Sequence, residues 1–441
     1  MRGSNSQFLA DREASGEPIR IGLIGIGQMG AGIVSQSATI PGLQIAALAD
    51  IDTVRATHAL ARLGSRDSVT IDNAEAGAEA MAAGRTVVTA EAELVAHLPV
   101  DVIVEATGIP EVGVRVGFAA ALARKHLVSM NVEADVTIGR LLRRLFGLAG
   151  SVYTIGAGDE PAVAWGLVDL CRTMGLEVVA AGKGKNNPLR PGATAHDVRG
   201  EAARKKMNPR MLAAFLDGTK TMCEMTALAN ATGLEIDVPG MHGPNADTKD
   251  LVSVFRPESE GGLLSRAGVV DYVQGDVAPG VFVVIRAEDP DVAADLEYLN
   301  IGSGPYFALT RPFHLANLEV PVSIVEAVKG GRPTLVGEHH MAEVGATAKR
   351  DLSPGDPISG IGGDEVYGYT WGAGDAAARN LIPLGLTEKA TIAKHIEAGT
   401  PLTFDDVEID ESSVLVGAWR MQEHLDTFGT DGEGLWQRLK N

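Results

Sequence analysis

The feature that most constrains the fold is a glycine motif near the amino terminus. Residues 25–30 read Gly25-Ile26-Gly27-Gln28-Met29-Gly30, a GxGxxG pattern. An apolar run from residue 19 leads into it, and a helically spaced run and a second apolar run follow, so the order is strand, turn, helix, strand. In this setting Gly25 permits the tight turn, Gly27 lets backbone approach a pyrophosphate and Gly30 lets helix pack on strand.

This motif predicts that a dinucleotide is bound at a helix start. Gln28 and Met29 open the helix, whose positive end would face the phosphates. A glycine-rich turn without a ligand is the alternative, and the flanking strands argue against it. Thr107 and Gly108, which end a further predicted strand at 101–106, are added to the expected cofactor site.

Two residues at and beyond the end of the second strand, Asp50 and Arg55, bear on the choice of nicotinamide cofactor. Asp50 ends that strand and would hydrogen-bond an adenosine ribose while repelling a 2′-phosphate, which favours NAD. Arg55 would reach a 2′-phosphate, and so favour NADP, if the acidic residues beside it turned away. A solvated charge at a helix start is the other interpretation of Arg55.

Strands and helices alternate after the motif, which predicts an α/β fold with an amino-terminal Rossmann parallel sheet. The pattern changes near residue 153, where an α+β catalytic domain is expected. A long helix is expected over about 211–232, with Gly218 inside it at a cost of about 1 kcal/mol, which suggests a close approach there. The predicted divisions are a polar tail at 1–18, a Rossmann domain at 19–155, a catalytic domain at 156–328 and a small β-rich domain at 329–441.

Composition excludes several classes of function. The 441 residues carry a formal charge of -19, which would repel nucleic-acid backbones. No apolar run is long enough to span a bilayer, and no signal peptide is recognised, so we expect cytoplasmic residence. The two cysteines, Cys171 and Cys223, do not suggest a disulfide framework. A homodimer is the default expectation for the assembly.

Acidic and basic side chains crowd the middle of the chain. Asp159 and Glu160 follow an apolar strand and precede a helix, where they could hold a divalent metal or transfer protons. Helix capping by Asp159, with Glu160 complementing the helix dipole, explains them equally well.

A loop after the next strand, residues 182–188, carries Lys183, Lys185 and Asn187. Cations and amides together suit an oxygen-rich anionic substrate, and a lysine there could also donate a proton. Solvated loop lysines are the alternative interpretation.

Three further sets of residues are candidates. Arg204 and Lys205 belong to the basic run 204–206, which would suit a phosphate group or simply an exposed helix face. Lys220 and Glu224 are four residues apart and share a helix face, either at a catalytic site or as a surface ion pair. His242 lies on a glycine-rich turn, where an imidazole can shuttle protons or be structural.

With these residues in hand, nearly the whole chain resembles the deoxyxylulose-phosphate reductoisomerase-like enzymes, which join a homoserine-dehydrogenase-like Rossmann domain to a carboxyl-terminal SAF-type domain. The motifs that carry the resemblance are residues 25–30, 104–108, 131–135 (which adds Asn131 to the cofactor site), 182–188, 217–220, 241–244 and 311–315.

The resemblance implies NADPH-dependent conversion of 1-deoxy-D-xylulose 5-phosphate to 2-C-methyl-D-erythritol 4-phosphate, a step of isoprenoid biosynthesis. It implies a phosphorylated sugar gripped by Arg204 and Lys205. It also implies an electrophile, either a lysine of the 182–188 loop or Mg²⁺ or Mn²⁺ on Asp159 and Glu160. Ordinary reductoisomerases bind metal through an Asp-Ser-Glu run and end in a helical domain, and this chain has neither.

Two other functions stay open. One is an NAD(P)-dependent dehydrogenase of a sugar acid or a homoserine-type substrate, which turnover of a phosphorylated ketose would distinguish. The other is a non-catalytic module that binds a nucleotide or sugar, which cofactor oxidation would exclude. The fold does not decide among them, because Rossmann domains support many chemistries.

Overall fold

Helices and strands alternate along the first third of the chain, as the apolar runs predict. The computed structural model describes residues 4–62, 64, 67–205 and 207–428. The strands are β1 Ile19–Ile24, β2 Leu43–Ala49, β3 Ser68–Thr70, β4 Thr86–Thr89, β5 Val102–Glu105, β6 His126–Ser129, β7 Tyr153–Ile155, β8 Glu177–Gly184, β9 Glu235–Ile236, β10 Val269–Val273, β11 Val281–Arg286, β12 Tyr306–Arg311, β13 Ala342–Ala348, β14 Val366–Gly372, β15 Thr391–Ile392 and β16 Val407–Glu408. The α-helices are α1 Asn5–Ala14, α2 Gln28–Ser37, α3 Thr53–Arg62, α4 Ala74–Ala82, α5 Pro110–Leu122, α6 Val132–Ala149, α7 Glu160–Thr173, α8 Arg199–Lys205, α9 Pro209–Leu216, α10 Thr219–Thr232, α11 Leu251–Val254, α12 Pro290–Tyr298, α13 Val320–Gly330, α14 Ala373–Ala378 and α15 Val414–Phe428. The short 3₁₀ turns are Glu93–His97, Thr248–Asp250, Glu258–Glu260, Ala316–Leu318, Leu384–Thr387 and Phe404–Asp406.

The first seven strands form one parallel sheet in the order β3-β4-β2-β1-β5-β6-β7. β1 pairs with β2 on one side and with β5 on the other, so the strand order reverses beside the glycine motif. Ligands of open α/β sheets bind at the carboxyl ends of the strands at such a switch point. The predicted α/β class with a Rossmann-type sheet is confirmed.

A second, mixed sheet has the order β12-β11-β8-β10-β9. β8 runs parallel to β10 and antiparallel to β11, which places Lys183 in the middle of the sheet. Helix α10 is buried along nearly its whole length. No described helix is both long and apolar enough to cross a membrane.

The chain divides into two compact units rather than into consecutive domains. The amino-terminal unit joins residues 1–155 to 320–334 and 410–441, and the second unit joins 156–319 to 335–409. The predicted domain at 329–441 is therefore split. The physical reason is packing, because Val320, Ile324 and Val325 of α13 belong to the apolar core of the amino-terminal unit. Four short strands, β13 to β16, lie in the 335–409 segment.

Two local expectations are corrected. The polar tail contains helix α1, whose Phe8 and Leu9 pack against the core of its unit. The long helix expected over 211–232 is two helices, α9 and α10, which meet at Gly218. Gly218 has a φ of 96°, a conformation that glycine adopts without strain, and a Cβ there would lie 2.7 Å from Leu189 Cδ1. The close approach inferred from Gly218 is thus made by a leucine of the same unit.

Candidate functional site

The glycine motif forms a turn with open space above it. Gly25 has a φ of 87°, and a Cβ there would lie 2.8 Å from the backbone of Ala106. A Cβ on Gly30 would collide with the carbonyl oxygen of Gly25, so the start of α2 packs directly on the turn. By contrast, a Cβ on Gly27 would meet no described atom within 4 Å. These contacts fit a pyrophosphate that approaches Gly27 at the amino end of α2.

Asp50 is held in place by the loop and by Arg55. Its Oδ2 accepts a hydrogen bond from Ile26 N at 2.6 Å, and its Oδ1 accepts from Arg55 Nη2 at 2.6 Å. The expectation that Arg55 becomes available only if Asp50 turns away is corrected. Arg55 pairs with the Asp50 carboxylate, and its own side chain is still 49 % exposed. The guanidinium therefore offsets the charge that would repel a 2′-phosphate.

The remaining predicted cofactor residues lie at the carboxyl ends of β5 and β6. Thr107 N donates to Glu105 Oε1 at 2.7 Å, and Gly108 has a φ of 66°. Asn131 caps α6 by accepting from Ala134 N at 3.1 Å. Burial raises the pKa of the Glu105 carboxyl, against the hydrogen bonds from Thr107. The predicted cofactor residues are therefore on one edge of the sheet, within one unit.

In the second unit, Lys183 lies between two glutamates. Lys183 Nζ donates to Glu160 Oε1 at 2.7 Å and also to Glu224 Oε2. Glu160 begins α7, Lys183 is on β8 and Glu224 is on α10, so three elements supply one cluster. Their side chains are 9 %, 6 % and 1 % exposed, which excludes the interpretations of Lys183 as a solvated loop lysine and of Glu224 as a surface charge.

The charges of this cluster are set by burial and by one another. Burial alone would lower the pKa of Lys183, but Glu160 and Glu224 outweigh it and raise that pKa. Burial would likewise raise the pKa of Glu160, but Lys183 and His314 lower it to about 2. The pKa values of Asp159 and Glu224 are raised, first by burial and then by neighbouring carboxylates. Glu160 is thus ionised, and protons are held more readily by the other two carboxyls.

Asp159 acts as a helix cap as well as a member of this cluster. Its Oδ1 accepts from Glu160 N at 3.2 Å at the start of α7. Lys220, one turn before Glu224 on α10, lowers the pKa of Asp159 in opposition to burial. Asp159 therefore both caps α7 and belongs to the buried carboxylate cluster.

Lys185 lines a cavity of about 160 Å³ beside the cluster. Burial, and then repulsion by Lys183, lowers the pKa of Lys185 to about 8. Its Nζ donates to the Phe215 carbonyl at 2.8 Å. The cavity is lined by Glu160, Lys183, Lys185, Asn186, Asn187, Lys205, Met207, Leu212, Phe215 and Thr221. An amine with a pKa near neutrality on a cavity wall can both accept and donate a proton.

The structure does not bring every candidate to this cavity. Lys205 lines it, with Nζ 2.8 Å from Glu201 Oε1, whereas Arg204 is exposed and is not among the described lining residues. Lys206, the third member of the basic run, lies outside the described residues. His242 is not among the described lining residues either. Its Nε2 lies 2.8 Å from Asp237 Oδ2, which fits a structural role.

His314 is a member of the cluster that the sequence did not identify. Its Nδ1 lies 3.3 Å from Glu160 Oε2 and 3.1 Å from the Gly158 carbonyl oxygen. It belongs to the motif at 311–315, which carried part of the resemblance but was assigned no role. That motif was the available signal.

The predicted divalent metal does not fit these residues as they stand. Oxygens of Asp159, Glu160 and Glu224 lie within 4.8 Å of one another, a spacing that suits a metal ion. However, the ammonium group of Lys183 already bonds to both glutamates.

One family model matches this part of the chain. Residues 158–320 match the family model described as oxidoreductase DRL, catalytic domain. No curated protein matches the chain. The matched segment contains the whole of the Lys183 cluster. Together with the Rossmann sheet and its glycine motif, this match identifies the chain as an NAD(P)-dependent oxidoreductase.

Solved structures with a similar fold include several dehydrogenases. A probable dehydrogenase from Thermotoga maritima is 15% identical, with 72% of this chain and 91% of that chain covered and a TM-score of 0.43. Scyllo-inositol dehydrogenase from Lactobacillus casei with NAD(H) and scyllo-inositol is 15% identical, covering 73% and 92%, with a TM-score of 0.42. A myo-inositol dehydrogenase from Corynebacterium glutamicum is 11% identical, covering 71% and 89%, with a TM-score of 0.41. Similarity at this level extends neither to a substrate nor to a mechanism.

Proposed function

We propose that this protein is an NAD(P)-dependent dehydrogenase that interconverts a hydroxyl and a carbonyl group on a small anionic sugar derivative. The observation that carries the proposal is Lys185, an amine whose pKa lies at about 8 on the wall of a polar cavity. Proton transfer to or from the substrate oxygen is the step that such a group performs.

The residues around the cavity support this reaction directly. A bound nicotinamide dinucleotide supplies or accepts the hydride. In the oxidative direction, neutral Lys185 takes the hydroxyl proton as the carbonyl forms, and in the reductive direction its ammonium form returns that proton to the oxygen. Lys183 stays charged beside it because Glu160 and Glu224 hold it, and its charge keeps the pKa of Lys185 low.

The anionic character of the substrate is inferred from the other lining groups. Lys205, Asn186 and Asn187 offer an ammonium and two amides on the cavity wall, in a protein whose formal charge is -19. Local cations in an acidic protein select for an anion at that spot. A sugar acid and a sugar phosphate both satisfy this requirement, whereas a homoserine-type substrate is a zwitterion without net negative charge and satisfies it only through its carboxylate.

Reductoisomerase activity is the second candidate, supported by the match of residues 158–320 and by the motifs of the family that the chain resembles. It would need the cavity to hold 1-deoxy-D-xylulose 5-phosphate, with Lys205 at the phosphate. Lys183 or Lys185 would then be the electrophile at the substrate oxygens.

The experiment is a substrate panel followed by NADPH absorbance. Sugar acids, polyols, homoserine and phosphorylated ketoses, including 1-deoxyxylulose 5-phosphate, are each tested in both directions. We expect turnover of at least one sugar acid or sugar phosphate and loss of it in Lys185→Met. Turnover of the deoxyxylulose phosphate to 2-C-methyl-D-erythritol 4-phosphate, identified as the product by mass spectrometry and NMR, would establish the second candidate instead, and no turnover with any member would contradict both.

NADPH is the cofactor we propose, because Arg55 pairs with Asp50 and lines a surface crevice of about 740 Å³ with His58 and Arg62. We expect Arg55→Met to lower the ratio of kcat/KM for NADPH to that for NADH by about tenfold, the worth of one charge-assisted hydrogen bond. Arg115→Met is the matched control, because Arg115 is also half exposed and paired with a carboxylate. An unchanged ratio in Arg55→Met would refute the assignment.

A further inference from the structure

Three carboxylates gather where the start of α7 meets α10. Asp159, Glu160 and Glu224 are all buried, and their oxygens lie within 4.8 Å of one another. Buried carboxylates need a cation close by, because an uncompensated charge in the interior is costly. A cation is therefore required close to these three carboxylates.

The structure places an ammonium group in that position. Lys183 Nζ bonds to Glu160 Oε1 at 2.7 Å and to Glu224 Oε2, from a side chain that is 6 % exposed. Lys183 projects from β8 in the middle of the second sheet, and the bonds to Glu160 and Glu224 hold its ammonium group in place. A metal ion bound to the same two oxygens would have to displace Lys183 into a packed interior.

Charge balance supports the same conclusion. The positive charge of Lys183 favours the ionised forms of Glu160 and Glu224, and that of Lys220 favours the ionised forms of Asp159 and Glu224. Lys185 adds a third cation beside Lys183, and His314 contacts Glu160 as well. At most three carboxylate charges are thus matched by three lysines before any metal is added. A dication would leave the buried cluster with excess positive charge.

We propose that Lys183 is the resident cation of this cluster and stands where a divalent metal would otherwise bind. The wild-type protein then needs no divalent metal at this cluster, and removal of the ammonium leaves three carboxylates that bind one. The inference that the wild-type protein turns over substrate without a divalent metal rests on the proposed function. The inference about which cation the cluster binds does not.

The test is a Mn²⁺ titration followed by electron paramagnetic resonance. Wild-type protein, Glu224→Gln, Lys183→Met and the double variant Lys183→Met/Glu224→Gln are compared, because Met keeps the unbranched shape and most of the length of the lysine side chain without its charge. We expect no tight Mn²⁺ binding in the wild type, one new site in Lys183→Met, and binding weakened by about tenfold or more when the third carboxylate is removed. Circular dichroism confirms that each variant is folded.

Two results would overturn the proposal. One is tight Mn²⁺ binding by wild-type protein that Glu224→Gln abolishes. The other is a folded Lys183→Met that binds no Mn²⁺. If Lys183→Met does not fold, the wild-type titration is decisive. Tight Mn²⁺ binding that Glu224→Gln abolishes would refute the proposal, and the absence of such binding would support it. Once a substrate is known, turnover after chelation should be unchanged, and turnover restored only by added metal would also refute it. Failure to find any substrate leaves the Mn²⁺ result intact, so the two proposals fail separately.

Discussion

The most informative perturbation is the removal of the amine of Lys185. Its pKa of about 8, against an ordinary 10.5, makes about one molecule in ten carry the neutral amine at pH 7, some 300-fold more than an ordinary lysine. In the oxidative direction kcat/KM should therefore rise with pH and level off above about 8, because neutral Lys185 is the base. In the reductive direction it should fall above about the same pH, because the ammonium form is the acid.

Lys185→Met should abolish both limbs and lower kcat by about 10²- to 10⁴-fold, the usual worth of a general acid or base. Lys249→Met is the control, since Lys249 is an exposed lysine of the same unit outside the cavity. Lys183→Met removes the repulsion that helps to lower the pKa of Lys185. The pH-dependent part of any residual activity should therefore move upward by only roughly one pH unit, because burial still lowers that pKa.

The assay is a pair of pH profiles, one in each direction, for all four proteins. Coincident limbs near pH 8 in opposite senses would identify one group acting in both directions. If Lys185→Met kept the wild-type rate and profile, or if its limb persisted, another group would be the acid and base, and the reasoning from burial would be refuted.

Two predictions concern stability. Lys349→Met should lower the free energy of unfolding by about 3–5 kcal/mol, because Lys349 and Asp217 form a 2.8 Å ion pair with side chains 1 % and 0 % exposed. Urea unfolding checks this. The control is Lys394→Met, which removes a half-exposed pair at 3.4 Å and should cost below about 1 kcal/mol. Tyr153→Phe removes a 2.9 Å hydrogen bond to Asp135 and should cost about 1–3 kcal/mol. Burial raises the pKa of Asp135 from 3.8 to about 6, so the folded state holds this proton more tightly, and stability should fall as pH rises from about 4 to 6. Loss of the Tyr153 hydroxyl should extend that fall above pH 6, and unfolding curves that are parallel for both proteins across this range would contradict it.

The sequence predicted the amino-terminal fold well because its signals are local. The turn at Gly25 and the apolar runs beside it specify strand, turn and helix from neighbouring residues alone. The same holds for Asp50 at the end of β2. The pairing of Arg55 with Asp50 was harder, because both a phosphate contact and a solvated charge suit an arginine at a helix start.

The Lys183 cluster could be predicted only in part, because it depends on packing. Glu160, Lys183 and Glu224 were each recognised as candidates, but nothing in their spacing shows that α7, β8 and α10 bring them together. His314 lies about 150 residues from Glu160 in the chain and was therefore missed, since contacts over such separations leave no local pattern. Gly218 was placed inside a helix because glycine occurs both within helices and at helix ends. Only its φ of 96° shows that the helix is interrupted there.

The proposed reaction is hydride transfer between a nicotinamide cofactor and a small anionic sugar derivative at the Lys185 cavity. The most direct measurement incubates the purified protein with NADPH deuterated at either face of the nicotinamide and a mixture of cellular metabolites, followed by mass spectrometry. We predict that one oxygen-rich anion gains a single deuterium with wild-type protein and gains none with Lys185→Met. Label incorporated from neither form of NADPH, or equally by both proteins, would contradict the account.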